Sequence, residues 1–598
     1  MALDDLEVSP DGRRIAFIYQ NQGHRALAVY ERKSGAARQV MFAKDGDVVD
    51  CTWKGNDHLL VFADFVSGAI RRVMLADLTT QAVVRLDEKP GFLGVEESRP
   101  ADPRHILAAD FFGVYLYDVF ELRKQLMFTR TERRDEVEYN WLADRDGKVR
   151  AYFVERDQHV SFMTGDGTKG HYVEVAAWTF DGFGEAGSVG RAWLTGNGRT
   201  AYVIAHKDHD RGALFAIDTA TGKWSEPVFV PPEGEITGLV FSPDQDRLEG
   251  VSYESDRRHY RWFDPQREKL QAWMEKGLPG RDVTLVSESA DGRVLVAFAA
   301  ADRDPGNYYV GDLSTGKLTE FVGRLLDLDS QLLRPMEPIA FTARDGLELH
   351  GYLTRPWVAA NGPVPLIVVP HDSPYGERNS WGFSREAQFL ASRGYAVVQV
   401  NYRGSGGYGT DFLKKGRFQW GRAMQDDLTD AVRWLVKQGV ADPQRVAILG
   451  RGYGGYAALE GTIQAPDLYR CAVNCQGYAD LEIAWRPPGT DALPASRYYD
   501  YRQKWIGAER LYRDAVSPIR HADRIRVPLL NAYWRDDSGF DWDNWKRLNK
   551  ALTEAQKPFE FVTTKEYRPY ELDWTDASIE YNRKVEAFLA KNLAPLPR

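Results

Sequence analysis

The chain has 598 residues, of which 43% are hydrophobic and 12% aromatic, so it is long enough and apolar enough to form more than one sizeable core. Its formal net charge of −9 and its pI near 5.8 argue against a nucleic-acid partner, which would require a basic face. No apolar run in the sequence approaches the roughly 18 to 20 residues of a membrane span.

The chain opens directly on a turn-and-strand pattern, MALDDLEVSPDGRRIAF, with no charged segment and apolar stretch before it. This start predicts a cytoplasmic location, or a periplasmic or secreted one if an export signal has been removed. Cys51, Cys471 and Cys475 are too few for a disulfide framework and are interpreted as buried apolar residues. The histidines show no convincing metal-ligand spacing, so the sequence predicts neither a metal nor a cofactor.

Residues 1–330 repeat a turn-then-strand unit at a spacing near 40 residues, which is typical of propeller blades. The seven units are 9–19, 53–62, 101–110, 144–153, 195–204, 242–253 and 289–298. A second strand pair is predicted after each unit, for example at 259–273 in the sixth. Four strands per unit predict a seven-bladed β-propeller, although the weak fourth unit leaves six or eight blades open.

Residues 331–598 follow a linker near 322–335 and alternate apolar strands with amphipathic helices. The predicted strands are 365–372, 395–404, 446–450, 471–477, 527–534 and 559–564, and the predicted helices lie near 384–393, 427–438, 543–554 and 577–592. Strands separated by helices predict a doubly wound, mostly parallel sheet with right-handed crossovers.

The segment 445–459, RVAILGRGYGGYAAL, joins a strand to a helix through a glycine turn. Its Gly-Arg-Gly-Tyr-Gly matches the α/β-hydrolase nucleophile motif G-x-S-x-G except that Gly452 replaces the serine. The same glycines also fit the dinucleotide pattern G-x-G-x-x-G. That interpretation is disfavoured because several strands precede the turn and the nearest acidic candidate, Asp467, lies before the next strand.

Several segments of the second half together resemble the catalytic domain of the prolyl oligopeptidase family of serine peptidases. They are Trp381-Gly382, 387–409, Gly421 with Asp426-Asp427, 450–459, 517–530 and 581–593. The likeness is nearest to the acylaminoacyl-peptidase-like branch, in which a propeller precedes an α/β-hydrolase domain. It implies a Ser–Asp–His triad, read in that order along the chain.

The triad positions implied by the resemblance are degenerate. They fall on Gly452, on Asp537 after the strand at 527–534, and on Tyr570 before the last helix. The last histidine of the chain is His521, which precedes Asp537, so no Ser–Asp–His order can be completed. Glycine at the elbow also avoids the backbone strain that a serine would carry there.

The oxyanion-hole region implied by the resemblance is altered as well. Where the family has His-Gly-Gly-Pro, this chain has His371-Asp372-Ser373-Pro374. We expect the charge of Asp372 to oppose a developing oxyanion, while the backbone N–H of Tyr453 remains as a donor.

These observations predict a catalytically inactive homologue that binds a peptide, a small molecule or a protein partner in the chamber between its two domains. The acidic, tryptophan-rich loop 534–545 would favour cationic groups, with Trp534, Asp536 and Trp542 as contacts. The alternative is an active peptidase or esterase in which Ser373 acts with His371; Ser405 and Ser538 are further candidate nucleophiles. A structural interaction module and an oligomer both remain open.

Overall fold

Short strands in the first half of the computed structural model pair in chain order into seven antiparallel sheets, one per blade. The structure describes residues 3–594 except 22–23, 43–45, 66–69, 89–94, 98, 100–101, 111, 131–135, 157–158, 169–170, 180–188, 324–327, 358–361, 483–503, 535–539 and 565–575. The chain forms two compact units, one of residues 1–328 without 181–183 and 255–257, and one of these two segments with 329–598.

Blades 1 to 4 have four strands each, including the fourth, whose sequence signal is weakest. Their strands are β1 (Leu3–Val8), β2 (Arg14–Asn21), β3 (His24–Glu31), β4 (Ala36–Phe42), β5 (Gly46–Lys54), β6 (His58–Phe65), β7 (Ile70–Asp77), β8 (Val83–Arg85), β9 (Val95–Glu97), β10 (His105–Ala109), β11 (Gly113–Asp118), β12 (Arg123–Thr129), β13 (Glu136–Ala143), β14 (Val149–Arg156), β15 (His159–Gly165) and β16 (Tyr172–Thr179).

Blades 5 and 6 have three described strands each, and blade 7 has four. Their strands are β17 (Val189–Leu194), β18 (Thr200–Ala205), β19 (Ala213–Asp218), β20 (Glu235–Phe241), β21 (Leu248–Glu254), β22 (Arg258–Trp262), β23 (Asp282–Glu288), β24 (Val294–Ala301), β25 (Asp304–Asp312) and β26 (Lys317–Gly323). The seven-bladed propeller predicted from the repeat is therefore confirmed.

Blade 6 corrects one prediction, because the segment 259–273 is not a strand pair. After β22 the chain turns into helix α1 (Pro265–Gly277), with the Asp264 carboxylate capping the N–H groups of Gln266 and Arg267 and a proline in the first turn. Met274 of α1 packs against apolar residues of blade 7. A helix therefore stands where a fourth strand was expected.

The ring closes between the first and last blades without exchange of strands. The N–H of Ala290 donates to the Pro10 carbonyl at 2.8 Å, and the N–H of Val8 donates to Ser287 Oγ at 3.0 Å. Turn aspartates have a structural role in these blades. Asp11 Oδ1, for example, accepts hydrogen bonds from Ser9 Oγ and from a backbone N–H.

The second unit contains one eight-stranded sheet in the order β27-β28-β30-β29-β31-β32-β33-β34. Its strands are β27 (Met336–Thr342), β28 (Glu348–Thr354), β29 (Val364–Val368), β30 (Ala396–Asn401), β31 (Ala441–Arg451), β32 (Cys471–Cys475), β33 (Leu529–Trp534) and β34 (Phe559–Thr564). The strands from β30 to β34 in this order pair in parallel. The antiparallel β27 and β28 add an edge that the strand pattern did not predict.

Helices cover both faces of this sheet, as a doubly wound fold requires. They are α2 (Arg385–Ser392), α3 (Thr410–Lys414), α4 (Ala423–Lys437), α5 (Tyr453–Gln464), α6 (Arg510–Ala515), α7 (Phe540–Glu554) and α8 (Asp576–Leu593), with 3-10 turns at Ser330–Leu332 and Pro518–Arg524. Residues of α4, α5 and α7 share one core, and residues of α2 and α8 share the other. The mostly parallel α/β fold is therefore confirmed.

Two smaller expectations can be compared with the structure. Cys51, Cys471 and Cys475 are free and buried, as predicted. Among the described residues, none of the helices combines the length and the apolar character needed to cross a membrane.

Candidate functional site

The turn between β31 and α5 has the backbone geometry of a nucleophile elbow. Gly452 stands between the two elements with φ 54° and ψ −118°, a conformation that side-chain-bearing residues rarely adopt. Its N–H donates to the Cys475 carbonyl on the neighbouring strand β32 at 3.0 Å. The elbow is therefore formed and anchored, and it presents a glycine where the motif has a serine.

The backbone N–H that follows the elbow is already bonded within the protein. Tyr453 N–H donates to the Asp372 carbonyl oxygen at 2.8 Å. A Cβ atom built on Gly452 would lie 2.9 Å from that same oxygen. The expectation that Tyr453 offers a free oxyanion donor is thus corrected, because the Asp372 carbonyl occupies the donor and crowds the place of a nucleophilic side chain.

A set of hydrogen bonds fixes the segment that carries this carbonyl. The Ser373 carbonyl lies 2.8 Å from His371 Nδ1 and accepts the Tyr402 hydroxyl at 2.8 Å. The Ser373 N–H donates to Glu377 Oε2 at 2.7 Å, and the Ser373 hydroxyl donates to the Tyr375 carbonyl at 3.0 Å. The backbone around Asp372 is therefore held by polar contacts on both sides.

His371 forms a side-chain pair with Ser405, not with Ser373. Its Nε2 lies 2.8 Å from Ser405 Oγ, and its ring stacks on Tyr402 with centroids 4.2 Å apart. Burial lowers the pKa of His371 to about 3, so its imidazole is neutral at physiological pH. The pairing predicted between the Ser373 hydroxyl and His371 is corrected, since Ser373 meets the imidazole through its carbonyl.

Residues 381–594 match the sequence model of the prolyl oligopeptidase family. The second half of the chain therefore contains a prolyl oligopeptidase family domain. Dipeptidyl aminopeptidase BIII of Pseudoxanthomonas mexicana shows 29% identity, covering 93% of this chain and 82% of that protein. The acylamino-acid-releasing enzyme of Arabidopsis thaliana is 31% identical over 32% of this chain and 25% of that enzyme.

Solved structures of peptidases are similar in fold to the whole of this chain. A puromycin-hydrolysing peptidase of Mycobacterium tuberculosis gives a TM-score of 0.75 at 19% identity, covering 100% of this chain and 95% of that one. An acylaminoacyl peptidase of Pyrococcus horikoshii gives 0.68 at 16% identity, covering 100% and 97%. At these identities the likeness establishes the propeller-plus-hydrolase fold.

Three carboxyl groups, those of Asp372, Glu377 and Glu386, interact with Arg451, the residue before Gly452. Arg451 Nε lies 3.7 Å from Asp372 Oδ2. Desolvation by the surrounding protein raises the pKa of Glu377, and the nearby charge of Asp372 adds to the shift. The same two causes raise the pKa of Glu386 to about 7, while Arg451 opposes the shift. The surrounding protein thus disfavours the charged forms of Glu377 and Glu386.

Four candidate site positions lie outside the described residues, namely Asp536, Asp537, Ser538 and Tyr570. Trp534 is the last residue of β33, and its side chain is likewise not among those described. Trp542 is half-buried and stacks on Trp545 at 4.3 Å. It belongs to α7, which begins at Phe540, so the predicted loop 534–545 is corrected to a helix over its second half.

The elbow does not have the form of a phosphate cradle. Two of the N–H groups that a G-x-G-x-x-G turn would offer to a nucleotide, those of Gly452 and Tyr453, donate to protein carbonyls. Within the part of the chain that the structure describes, no group of three or more His, Cys, Asp or Glu residues could hold a metal ion.

Proposed function

We propose that this chain is a non-catalytic member of the prolyl oligopeptidase family that uses the peptidase scaffold to bind a peptide, a small molecule or a protein partner. The observation that carries the proposal is the elbow itself. Gly452 supplies no attacking oxygen, and the Asp372 carbonyl takes the N–H of Tyr453 at 2.8 Å. The elbow therefore has no nucleophile, and one expected oxyanion donor is already hydrogen-bonded within the protein.

The order of residues along the chain supports the same proposal. The base of a hydrolase triad on this fold follows the acid, and the acid follows the elbow. The last histidine here, His521, precedes β33, and its Nε2 lies 2.9 Å from the Ala515 carbonyl. The sequence thus provides no imidazole for the base position of this family.

The expected loss of hydrolytic activity is large. Loss of the nucleophile or the base of a serine hydrolase lowers kcat by about 10⁶-fold, or roughly 8 kcal/mol of barrier. This chain lacks both the nucleophile and the base, and the N–H of its oxyanion hole is already hydrogen-bonded. Only the rate enhancement that comes from binding a substrate would remain.

The relatives suggest the ligand class. They are named as a dipeptidyl aminopeptidase and as an acylamino-acid-releasing enzyme. We therefore propose peptide ends as the first ligands to examine.

The decisive experiment combines a fluorophosphonate probe with chromogenic dipeptidyl and acylaminoacyl substrates, using an active serine peptidase as the positive control. We expect neither labelling nor turnover. Peptides with free and with acylated ends are then titrated against the protein, and at least one is expected to raise its unfolding temperature by binding the folded state. Labelling of a serine would contradict the proposal.

A second candidate function is a hydrolase with a displaced nucleophile. The distance of 2.8 Å between His371 Nε2 and Ser405 Oγ is within the range of a nucleophile and its base. Both residues are buried, so this pair would act only if the elbow region opened. Labelling abolished by Ser405→Ala would support the Ser405 version, and labelling abolished by Ser373→Ala would support the version in which Ser373 acts with His371.

A further inference from the structure

The core between α4 and α5 contains buried polar atoms that lack a hydrogen-bond partner in the part of the chain that the structure describes. Gln425, Glu460 and Tyr469 are each at least 98% buried. Both amide atoms of Gln425, Oε2 of Glu460 and the hydroxyl of Tyr469 find no hydrogen-bond partner among the described residues. Such atoms destabilise a fold unless something satisfies them.

The structure brings two of these side chains together at Gly461 of α5. A Cβ atom at this position would lie 2.9 Å from Gln425 Nε2 and 3.1 Å from Cε2 of Tyr469. The preceding residue, Glu460, uses Oε1 to accept a hydrogen bond of 2.7 Å from Gln464 Nε2, which leaves Oε2 unpaired. The absence of a side chain at Gly461 therefore permits a close polar approach to the helix.

The chemistry of these groups selects a neutral ligand that both donates and accepts. An amide and a phenol do both. Neither group carries a charge that would attract an ion, and a metal ion would require more oxygen ligands than one amide and one phenol provide. Water fits, since buried waters typically bond two to four polar groups.

We propose that Gln425 and Tyr469 form a buried water-binding site at Gly461, between α4 and α5. The site belongs to the fold of the second unit and does not depend on the proposed function. It predicts that the polar side chains of this core are satisfied by solvent and cannot be replaced by apolar ones without loss.

A high-resolution crystal structure of the full chain tests the site directly. We expect an ordered water within hydrogen-bond distance of the Gln425 amide and of the Tyr469 hydroxyl. A dry core at this place would overturn the proposal.

A substitution gives an independent test with opposite signs for the two cases. Gln425→Met keeps the side-chain length and removes both polar atoms. If water is bound, the variant loses hydrogen bonds and its urea unfolding midpoint falls; if the core is dry, removal of two unsatisfied atoms raises the midpoint. An unchanged or higher midpoint overturns the proposal.

The matched control is Gln271→Met in the propeller. Gln271 is also buried, but its Nε2 donates to Glu275 Oε1 at 2.8 Å and to the Val283 carbonyl at 2.9 Å. Its midpoint is expected to fall, which calibrates the loss of a satisfied amide. If Gln425→Met fails to fold, the crystal structure of the unaltered protein decides the question alone.

Discussion

Gly452→Ala tests how much a side chain at the elbow lowers the stability of the second unit. The conformation at Gly452, φ 54° and ψ −118°, costs a side-chain-bearing residue about 1–3 kcal/mol. The new Cβ would also lie 2.9 Å from the Asp372 carbonyl oxygen, closer than ordinary contact allows. Relieving that overlap adds about 1–3 kcal/mol, the usual cost of overpacking.

Gly439 provides a matched control for the backbone contribution. It has a φ of 71°, and a Cβ built on it meets nothing within 4 Å. Gly439→Ala therefore carries the cost of a positive φ without the contact. We expect Gly452→Ala to unfold roughly 2–12 °C below Gly439→Ala, because 1 kcal/mol shifts the midpoint of a unit of this size by about 2–4 °C.

Differential scanning calorimetry of both variants provides the measurement, with the transition of the second unit as the readout. Equal midpoints would refute the reasoning, because they would show that the Asp372 carbonyl yields without cost. Gly452→Ser adds a catalytic readout. We expect it to remain unlabelled by the fluorophosphonate, since the serine would lack both a base and the Tyr453 N–H.

Three other substitutions test interactions inside one or the other of the two units. Glu460→Gln removes a carboxyl group whose pKa is raised by burial from 4.5 to about 7. Because the folded state binds this proton more tightly than the unfolded state, the stability of the wild-type protein should fall as the pH rises from about 4.5 to about 7. The urea unfolding midpoint of the variant should lack this part of the pH dependence. Arg403 donates a hydrogen bond of 2.7 Å to the fully buried Asp427. Arg403→Met leaves that carboxylate without its cation and should lower the free energy of urea unfolding by about 3–5 kcal/mol. The double variant Arg403→Met/Asp427→Leu should recover most of this loss, and no recovery would contradict the pairing. Asp264→Ala removes the cap of α1 and should cost about 1 kcal/mol of propeller stability, and an unchanged midpoint would show that the cap is not needed.

Local patterns were sufficient to predict most of the fold. Each blade is a meander of neighbouring strands, so its pairing follows chain order and can be read from the repeat. The missed helix of blade 6 also had a local signal. Asp264 followed by Pro265 is a typical helix start, but the repeat imposed a strand pair on a segment whose own residues favour a helix.

The candidate site was predictable only where it is local. The strand, glycine turn and helix around Gly452 are contiguous, and the elbow follows from them. The contact of Tyr453 N–H with Asp372 and the pair of His371 with Ser405 join residues far apart in the chain. No periodicity or spacing in one sequence specifies such contacts, because they depend on how the loops at the ends of parallel strands meet.

The backbone of the elbow also serves the packing of the second unit. Tyr453, the residue after the turn, is fully buried and packs its ring against Trp420 and Tyr402, with centroids 4.7 and 5.3 Å apart. A relaxed turn would withdraw this ring from the core, where burying an aromatic side chain contributes about 1.5–3 kcal/mol. Glycine at position 452 retains that packing without the strain that a serine would impose. Loss of the nucleophile is therefore compatible with a stable fold, whereas loss of the turn is not.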